Sequence, residues 1–266
     1  MLQAYTLFSG SQGNCIYIKS EDTEILIDAG RSCSAIQKAL SCLGTSLENI
    51  RGIFITHEHS DHINGLEVIC KKFKTPVYLT KPSYDGCVRA DSHLFGCAVA
   101  MDVEYEINIG SILLRSFPVP HDSAQNIGFV VTCGGESLGV ATDIGHLTET
   151  IARSLSSCKK IIIEANHDEK MLENGPYPRF LKDRILSPRG HLSNTVCARF
   201  VCYLCERGAC EFTLAHLSRE NNTPKTAYER VRSEMELCGF DDIPLKVALA
   251  DATVNATDGK SYKVTE

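Results

Sequence analysis

The chain is short of everything that would direct it to a membrane. No apolar run approaches the roughly 20 residues needed to span a bilayer, and residues 1–14 lack a basic leader followed by an apolar core. Basic charge is scarce as well: 27 Lys and Arg stand against 33 Asp and Glu, a net charge of -6. That balance argues against a generally basic nucleic-acid binder. It does not reach a local basic patch, or a site whose field is set by bound cations. No Pro-, Gly- or Ser-rich linker and no low-complexity stretch divides the sequence, so one domain over residues 1–266 is expected. The 13 cysteines are numerous, but a chain of this size has no need of disulfides, and they read as reduced thiols in a cytoplasmic protein. Cys202 and Cys205 have no second pair at zinc-ribbon spacing and are expected in the core.

Histidine is limited too, with nine in all, yet three of them fall between His57 and His62. They follow the apolar run Gly52-Ile53-Phe54-Ile55, which reads as a buried strand. His57 and His59, two apart, can offer imidazole nitrogens to one cation, while Asp61 and His62 can serve a second. The same arrangement recurs along the chain. Strands expected at 24–27, 112–119, 137–142, 160–164 and 211–215 run into Asp28, His121, Asp143, Glu164 with His167, and His216. Asp28 reads either as a turn-former or as a buried hydrogen-bond partner of the histidine loop. Asp143 has the two oxygens needed to bridge two cations. Glu164 and His167 are expected in supporting roles, and His93 at the surface or behind the site.

Helices are expected at 35–43, 63–73, 84–90, 147–155, 195–206 and 224–238, with strands between them, which is an α/β pattern. His191 lies at the start of the 195–206 helix, where backbone N–H groups and the helix dipole favour an anion. It is the candidate for protonating or holding a phosphate, a reading preferred to that of a capping segment whose histidine merely packs. Arg179, Lys182, Arg184 and Arg189 precede it, either as a solvated face or as guides for a charged strand.

Taken in order, Asp28, His57-Glu58-His59-Ser60-Asp61-His62, His121, Asp143 and His216 resemble the five motifs of the metallo-β-lactamase superfamily. The resemblance implies an αββα four-layer sandwich, two mixed β-sheets flanked by helices, with a dinuclear site at one edge. It implies that His57, His59 and His121 hold one divalent cation, that Asp61, His62 and His216 hold another, and that Asp143 bridges them. Zinc and manganese suit these ligands, and iron is compatible. Gly10-Ser11-Gln12-Gly13-Asn14, Glu164-Ala165-Asn166-His167-Asp168, Gly175-Pro176-Tyr177-Pro178, Gly190-His191-Leu192-Ser193-Asn194 and His216-Leu217-Ser218-Arg219-Glu220-Asn221-Asn222 are similar to the YycJ/WalJ-like branch. That branch is associated with 5′-to-3′ DNA exonuclease activity and mismatch repair.

The expected reaction is therefore metal-assisted phosphodiester hydrolysis. Nucleic acid, DNA before RNA, is the expected substrate partner. Asp61 would orient the attacking water, and His191 would act on the phosphate. Ser193, Arg179, Lys182, Arg184 and Arg189 would contact substrate. The alternative is a lactonase- or glyoxalase-type hydrolase of small esters or thioesters, which would need the metals but not His191 or the basic cluster. Oxygen-reducing diiron relatives usually have Glu where this chain has His59, and scaffold relatives usually lose ligands that this chain keeps.

Overall fold

A computed structural model describes residues 1–258. The first sheet is built from β1 (Gln3–Phe8), β2 (Cys15–Lys19), β3 (Glu24–Ile27), β4 (Ile50–Phe54), β5 (Val77–Thr80) and β6 (Ala98–Met101). The second contains β7 (Glu106–Ile109), β8 (Ile112–Val119), β9 (Asn126–Cys133), β10 (Glu136–Ala141), β11 (Lys160–Glu164), β12 (Glu211–Ala215) and β13 (Leu245–Val247). A last short strand, β14 (Val254–Asn255), returns to the first sheet beside β1. The orders are β14-β1-β2-β3-β4-β5-β6 and β13-β12-β11-β10-β9-β8-β7. Both sheets are mixed: β3 to β6 are parallel, as are β10 to β13, and the remaining pairs are antiparallel.

Alternation along the strands makes this a four-layer object. In β3, Ile25 and Ile27 face the second sheet and, with Phe54 of β4, pack with Ile127, Phe129 and Val140, while Leu26 faces outward. The outward face is covered by α1 (Cys33–Cys42) and α3 (Leu66–Phe73), through Ile36, Leu40 and Ile69. The second sheet is covered by α5 (Glu149–Leu155), α8 (Asn194–Cys205) and α9 (Pro224–Leu237). α9 shows why these helices form where they do. Thr223 caps it by accepting from Thr226 N at 3.0 Å, Pro224 occupies its first turn, and Ala227, Val231 and Met235 repeat every four residues on the buried face. The result is the αββα sandwich expected from the sequence.

Several boundaries differ from the expectation. The helix expected over 63–73 is two pieces, α2 (Ser60–Ile63) and α3, because Gly65 donates to Ala29 O at 2.8 Å and docks the chain onto the turn after β3. The helix expected at 84–90 starts earlier, as α4 (Lys81–Cys87), since Thr80 caps it and Pro82 sits in its first turn. α6 (Glu169–Asn174) was not expected; Asp168 caps it through Met171 N at 2.9 Å. The polar tail expected after Leu249 contains β14 and then passes outside the described residues. α7 (Arg179–Leu186) occupies the basic segment before His191. No helix among the described residues is long and apolar enough to cross a membrane, and all 13 cysteines are free, with Cys202 and Cys205 buried.

Candidate metal centre

The C-terminal ends of β4 and β12, the end of the antiparallel strand β8 and the loop before α8 converge on one edge of the sandwich, where they bring together six of the nine histidines. His57 and His59 lie 4.5 Å apart between ring centroids, and His121 lies 5.1 and 5.2 Å from them. Ligand atoms of His57, His59 and His121 all fall within 4.8 Å of one another; so do those of Asp61, His62 and His216, and those of His57, His62 and Asp143. Asp143 stands between the two histidine groups, with Oδ2 3.4 Å from His62 Nε2 and Oδ1 3.4 Å from His216 Nε2 and 3.7 Å from His121 Nε2. Asp28, Asp143 and His216 terminate their strands with φ of 60°, 57° and 56°, a left-handed conformation uncommon outside glycine. Each turns the chain sharply at the strand end.

Behind the cluster, a shell of acceptors fixes one nitrogen of each ring except that of His59. His62 Nδ1 lies 2.8 Å from Asp28 Oδ2, and Asp28 also accepts from Thr56 N at 2.8 Å and from the Thr56 hydroxyl. That hydroxyl lies 3.1 Å from His57 Nδ1. His121 Nδ1 is 3.1 Å from Gly190 O. Glu164, fully buried, accepts from His191 Nδ1 at 2.8 Å and His216 Nδ1 at 2.9 Å with one oxygen, and from Ile144 N and Leu192 N with the other. Anchoring Nδ1 leaves Nε2 for the centre. His57 Nε2, His216 Nε2 and Asp143 Oδ2 are indeed buried with no hydrogen-bond partner among the described residues. Buried polar atoms without partners are rare and costly. Ring nitrogens held from behind and left open in front fit a divalent cation.

Charge supports the same fit. Burial draws the His62 imidazole towards neutrality, but Asp28 and Asp143 outweigh it and push its pKa up to about 10. His216 is likewise drawn down by burial and raised overall by Asp143, Asp61 and Glu164. Burial raises the Glu164 carboxyl, and the charge and hydrogen bond of His191, with those of His216, bring it below the usual carboxylate range. Burial dominates at His57 and pulls it well below the usual histidine value. These carboxylates call for positive charge at the centre.

The cluster opens into a cavity of about 220 Å³, lined on one side by His59, Asp61, His191 and His216 and on the other by Tyr177, Leu181 and Arg184 from the α6–α7 segment. Of the expected substrate contacts, only Arg184 lines it, and that side chain is engaged by Asp122. Arg179 pairs with Asp183 at 2.9 Å, and Lys182 donates to Glu173 O at 2.7 Å. Arg189 donates to His121 O at 2.8 Å and to Ser123 O, bracing the loop that carries His121. Ser193 caps α8, accepting from Val196 N. All four basic side chains, and Ser193, are thus engaged within the protein, and only Arg184 also faces the cavity. His93 is on the surface against Glu67, 2.7 Å away, and His167 is buried with neither ring nitrogen hydrogen-bonded among the described residues.

Three contributors had no clear sequence signal. Asn14 reaches Asp61 Oδ2 at 3.3 Å and His62 Nε2 at 3.1 Å. Glu58, between two histidines, points away and accepts from Ser83 Oγ and Ala124 N. Tyr177 lines the cavity. Only the Gly-rich run before Asn14 and the Pro-Tyr-Pro turn hinted at special backbone there.

Residues 23–209 match the family described as "Beta-lactamase superfamily domain". The chain is 32% identical over 240 residues to "Exodeoxyribonuclease YycJ" of Bacillus anthracis, covering 88% of this chain and 89% of that protein. It is 32% identical over 231 residues to "Exodeoxyribonuclease WalJ" of Streptococcus pneumoniae, covering 84% of each. Among solved structures it resembles the metallo-β-lactamase fold protein YhfI of Bacillus subtilis, with a TM-score of 0.69 at 11% identity over 96% of this chain and 99% of that one. It also resembles the short form of human tRNase Z, with a TM-score of 0.62 at 17% identity over 95% and 99% of the two chains. A sandwich of two mixed sheets, histidines and carboxylates gathered at its edge, and identity spread over most of both relatives lead to one assignment: the chain belongs to the beta-lactamase superfamily, as a metal-dependent hydrolase of the YycJ/WalJ-like branch.

Proposed function

We propose that the protein is a dinuclear-metal phosphodiesterase that removes nucleotides from the 5′ end of DNA. His57, His59 and His121 would hold one cation, Asp61, His62 and His216 the other, and Asp143 would be shared. Zinc or manganese suits the donor set. When bound, such cations lower the pKa of water towards about 7 and stabilise charge on phosphoryl oxygens. The names of the relatives support a deoxyribonucleotide substrate.

The observation that carries the reading is His191. It lines the cavity with Nδ1 tied to Glu164, so Nε2 remains for substrate. Protonated, it donates from Nε2 to the departing oxygen, while the Glu164 carboxylate stabilises the imidazolium and fixes the ring. Asp61, steadied by Asn14, orients the attacking water. A hydrolase of small esters needs no such acid beside the leaving group.

The test is hydrolysis of 5′-phosphorylated single- and double-stranded DNA by protein loaded with Mn²⁺ or Zn²⁺, with RNA, a lactone and a glutathione thioester alongside. Metal-dependent release of nucleotides from the 5′ end is expected, with His191→Ala lowering kcat about 10²–10⁴-fold. Turnover of ester with DNA left intact would overturn the reading.

A further inference from the structure

The cavity over the cluster holds about 220 Å³, below the roughly 300–1,000 Å³ of a pocket that encloses a drug-sized ligand. It accommodates a phosphodiester and its nearest atoms. The rest of a polynucleotide must lie outside it, and the α7 wall offers no basic side chain beyond Arg184, already engaged by Asp122.

A second groove, of about 460 Å³, lies between β1 and α1. Its floor is apolar, made by Leu7, Phe8, Ala35 and Ala39, and its rim carries Arg31, Lys38 and Asp251. Arg31 stacks over the Phe8 ring, 5.2 Å from guanidinium carbon to centroid. Asp251 closes one end between two arginines, with Oδ1 3.2 Å from Arg31 Nη2 and Oδ2 2.9 Å from Arg219 Nη2. Both arginines stand next to the cavity. Arg219 follows Ser218, which lines it; Arg31 packs on Gly13, in the loop whose Ser11 also lines it.

We propose that this groove binds the nucleotide adjoining the scissile phosphate of a single-stranded polynucleotide. The phosphate of that nucleotide sits between Arg31 and Arg219 in the place Asp251 now occupies, and its base rests on the Phe8 side of the floor. The proposal rests on the phosphodiesterase reading above. A carboxylate shared by two guanidinium groups presents two anionic oxygens to their N–H forks, the geometry a phosphodiester offers as well. Asp251 is 59% exposed on its side chain, and an exposed ion pair contributes little, so exchange with a phosphate is not opposed by a strong contact. Arg31 and Lys38 against Asp251 leave the groove lining net positive in a protein of net charge -6, and Arg219 adds a further positive charge on the far oxygen of that aspartate. An apolar floor beside a basic rim is the composition that binds single strands without reading sequence.

The experiment is fluorescence anisotropy of a short fluorescein-labelled single-stranded DNA with phosphorothioate linkages on the metal-loaded protein, so that cleavage is suppressed while the metal centre stays filled. Arg31→Ala and Arg219→Ala should each weaken binding about tenfold. Each should also flatten the dependence of log K on log salt by about 0.7. Asp251→Asn should tighten binding about threefold, a gain that a misfolded variant cannot produce. Binding unchanged in all three variants, or weakened in Asp251→Asn, would overturn the groove. Turnover of bis(p-nitrophenyl) phosphate, too small to reach it, reads the metal centre separately. Absent turnover with the binding pattern intact would remove the phosphodiesterase reading and leave the groove; turnover with unaltered variants would do the reverse.

Discussion

Glu164 ties two imidazoles of opposite assignment, His191 and His216, to a single oxygen, and ties two backbone N–H groups to the other. A neutral amide in its place keeps the shape but presents one acceptor oxygen to four donors and loses the charge that steadies an imidazolium. Glu164→Gln should therefore lower metal affinity or kcat about 10–100-fold with the fold retained, as measured by metal content and by turnover at saturating Mn²⁺. A role in packing alone would leave both unchanged. The sequence placed Glu164 at a strand end in a supporting role but not the groups it supports, because a hydrogen-bond hub is defined by residues 20 to 52 positions away. The histidines were legible for the opposite reason: His57, His59, Asp61 and His62 are neighbours in sequence as well as in space. Asp28, Asp143 and His216 share a left-handed turn, which Asp and His adopt more readily than most residues but which nothing at those positions announces, so their sharp exits from the strands had to be seen.

At the scale of elements, the turn after β3, the loop after β1 and the start of α2 form one backbone lattice. Ala29 N donates to His62 O, Asn14 N to Asp61 O, Gly30 N to Asn14 O and Gly65 N to Ala29 O, all at 2.8 Å. Gly30 is the point of closest approach, since a Cβ there would sit 1.6 Å from Asp61 O. Gly30→Ala must push the Asp61–His62 turn away from the centre, and we expect a loss of about 3 kcal/mol in denaturant unfolding. Weaker metal binding should accompany it in competition with a chelator, whereas Gly44→Ala, where a Cβ meets nothing within 4 Å, should spare the metal. Strands with β-branched alternation, such as β3, β11 and β12, were readable from residues alone. α2 and α3 were not separable, because Ile63, Leu66, Ile69 and Cys70 keep helical spacing across the break that Gly65 makes. The basic run before His191 misled in another way: charge can be counted in a sequence, but the acids and carbonyls that absorb it, Asp122, Asp183, Glu173 and His121, come from elsewhere.

Across the whole molecule, the two sheets meet at an edge that only ligands fill. Strand ends from β3, β4, β8, β10 and β12 bring acids and imidazoles together, and among the described residues His57 Nε2, His216 Nε2 and Asp143 Oδ2 lack hydrogen-bond partners there. Hydrophobic packing holds each sheet to its helices and to the other sheet. Among the described residues the ligand ends are held to one another by hydrogen bonds, through Asp28, Asn14 and Glu164, while carboxylates face each other across rings. Cations bound to the folded chain alone would stabilise it by about 4 kcal/mol at a free concentration a thousand times Kd. Chelation with EDTA should then lower Tm by about 8–16 °C, taking 2–4 °C per kcal/mol for a chain of this size, and re-addition of Mn²⁺ or Zn²⁺ should restore it. The same scan on His57→Ala should show a smaller EDTA response, because one ligand group is broken. A Tm indifferent to chelator in the wild-type protein, prepared with metal content verified, would mean that the edge is held by its own hydrogen bonds and that the unpartnered atoms are not waiting for a cation.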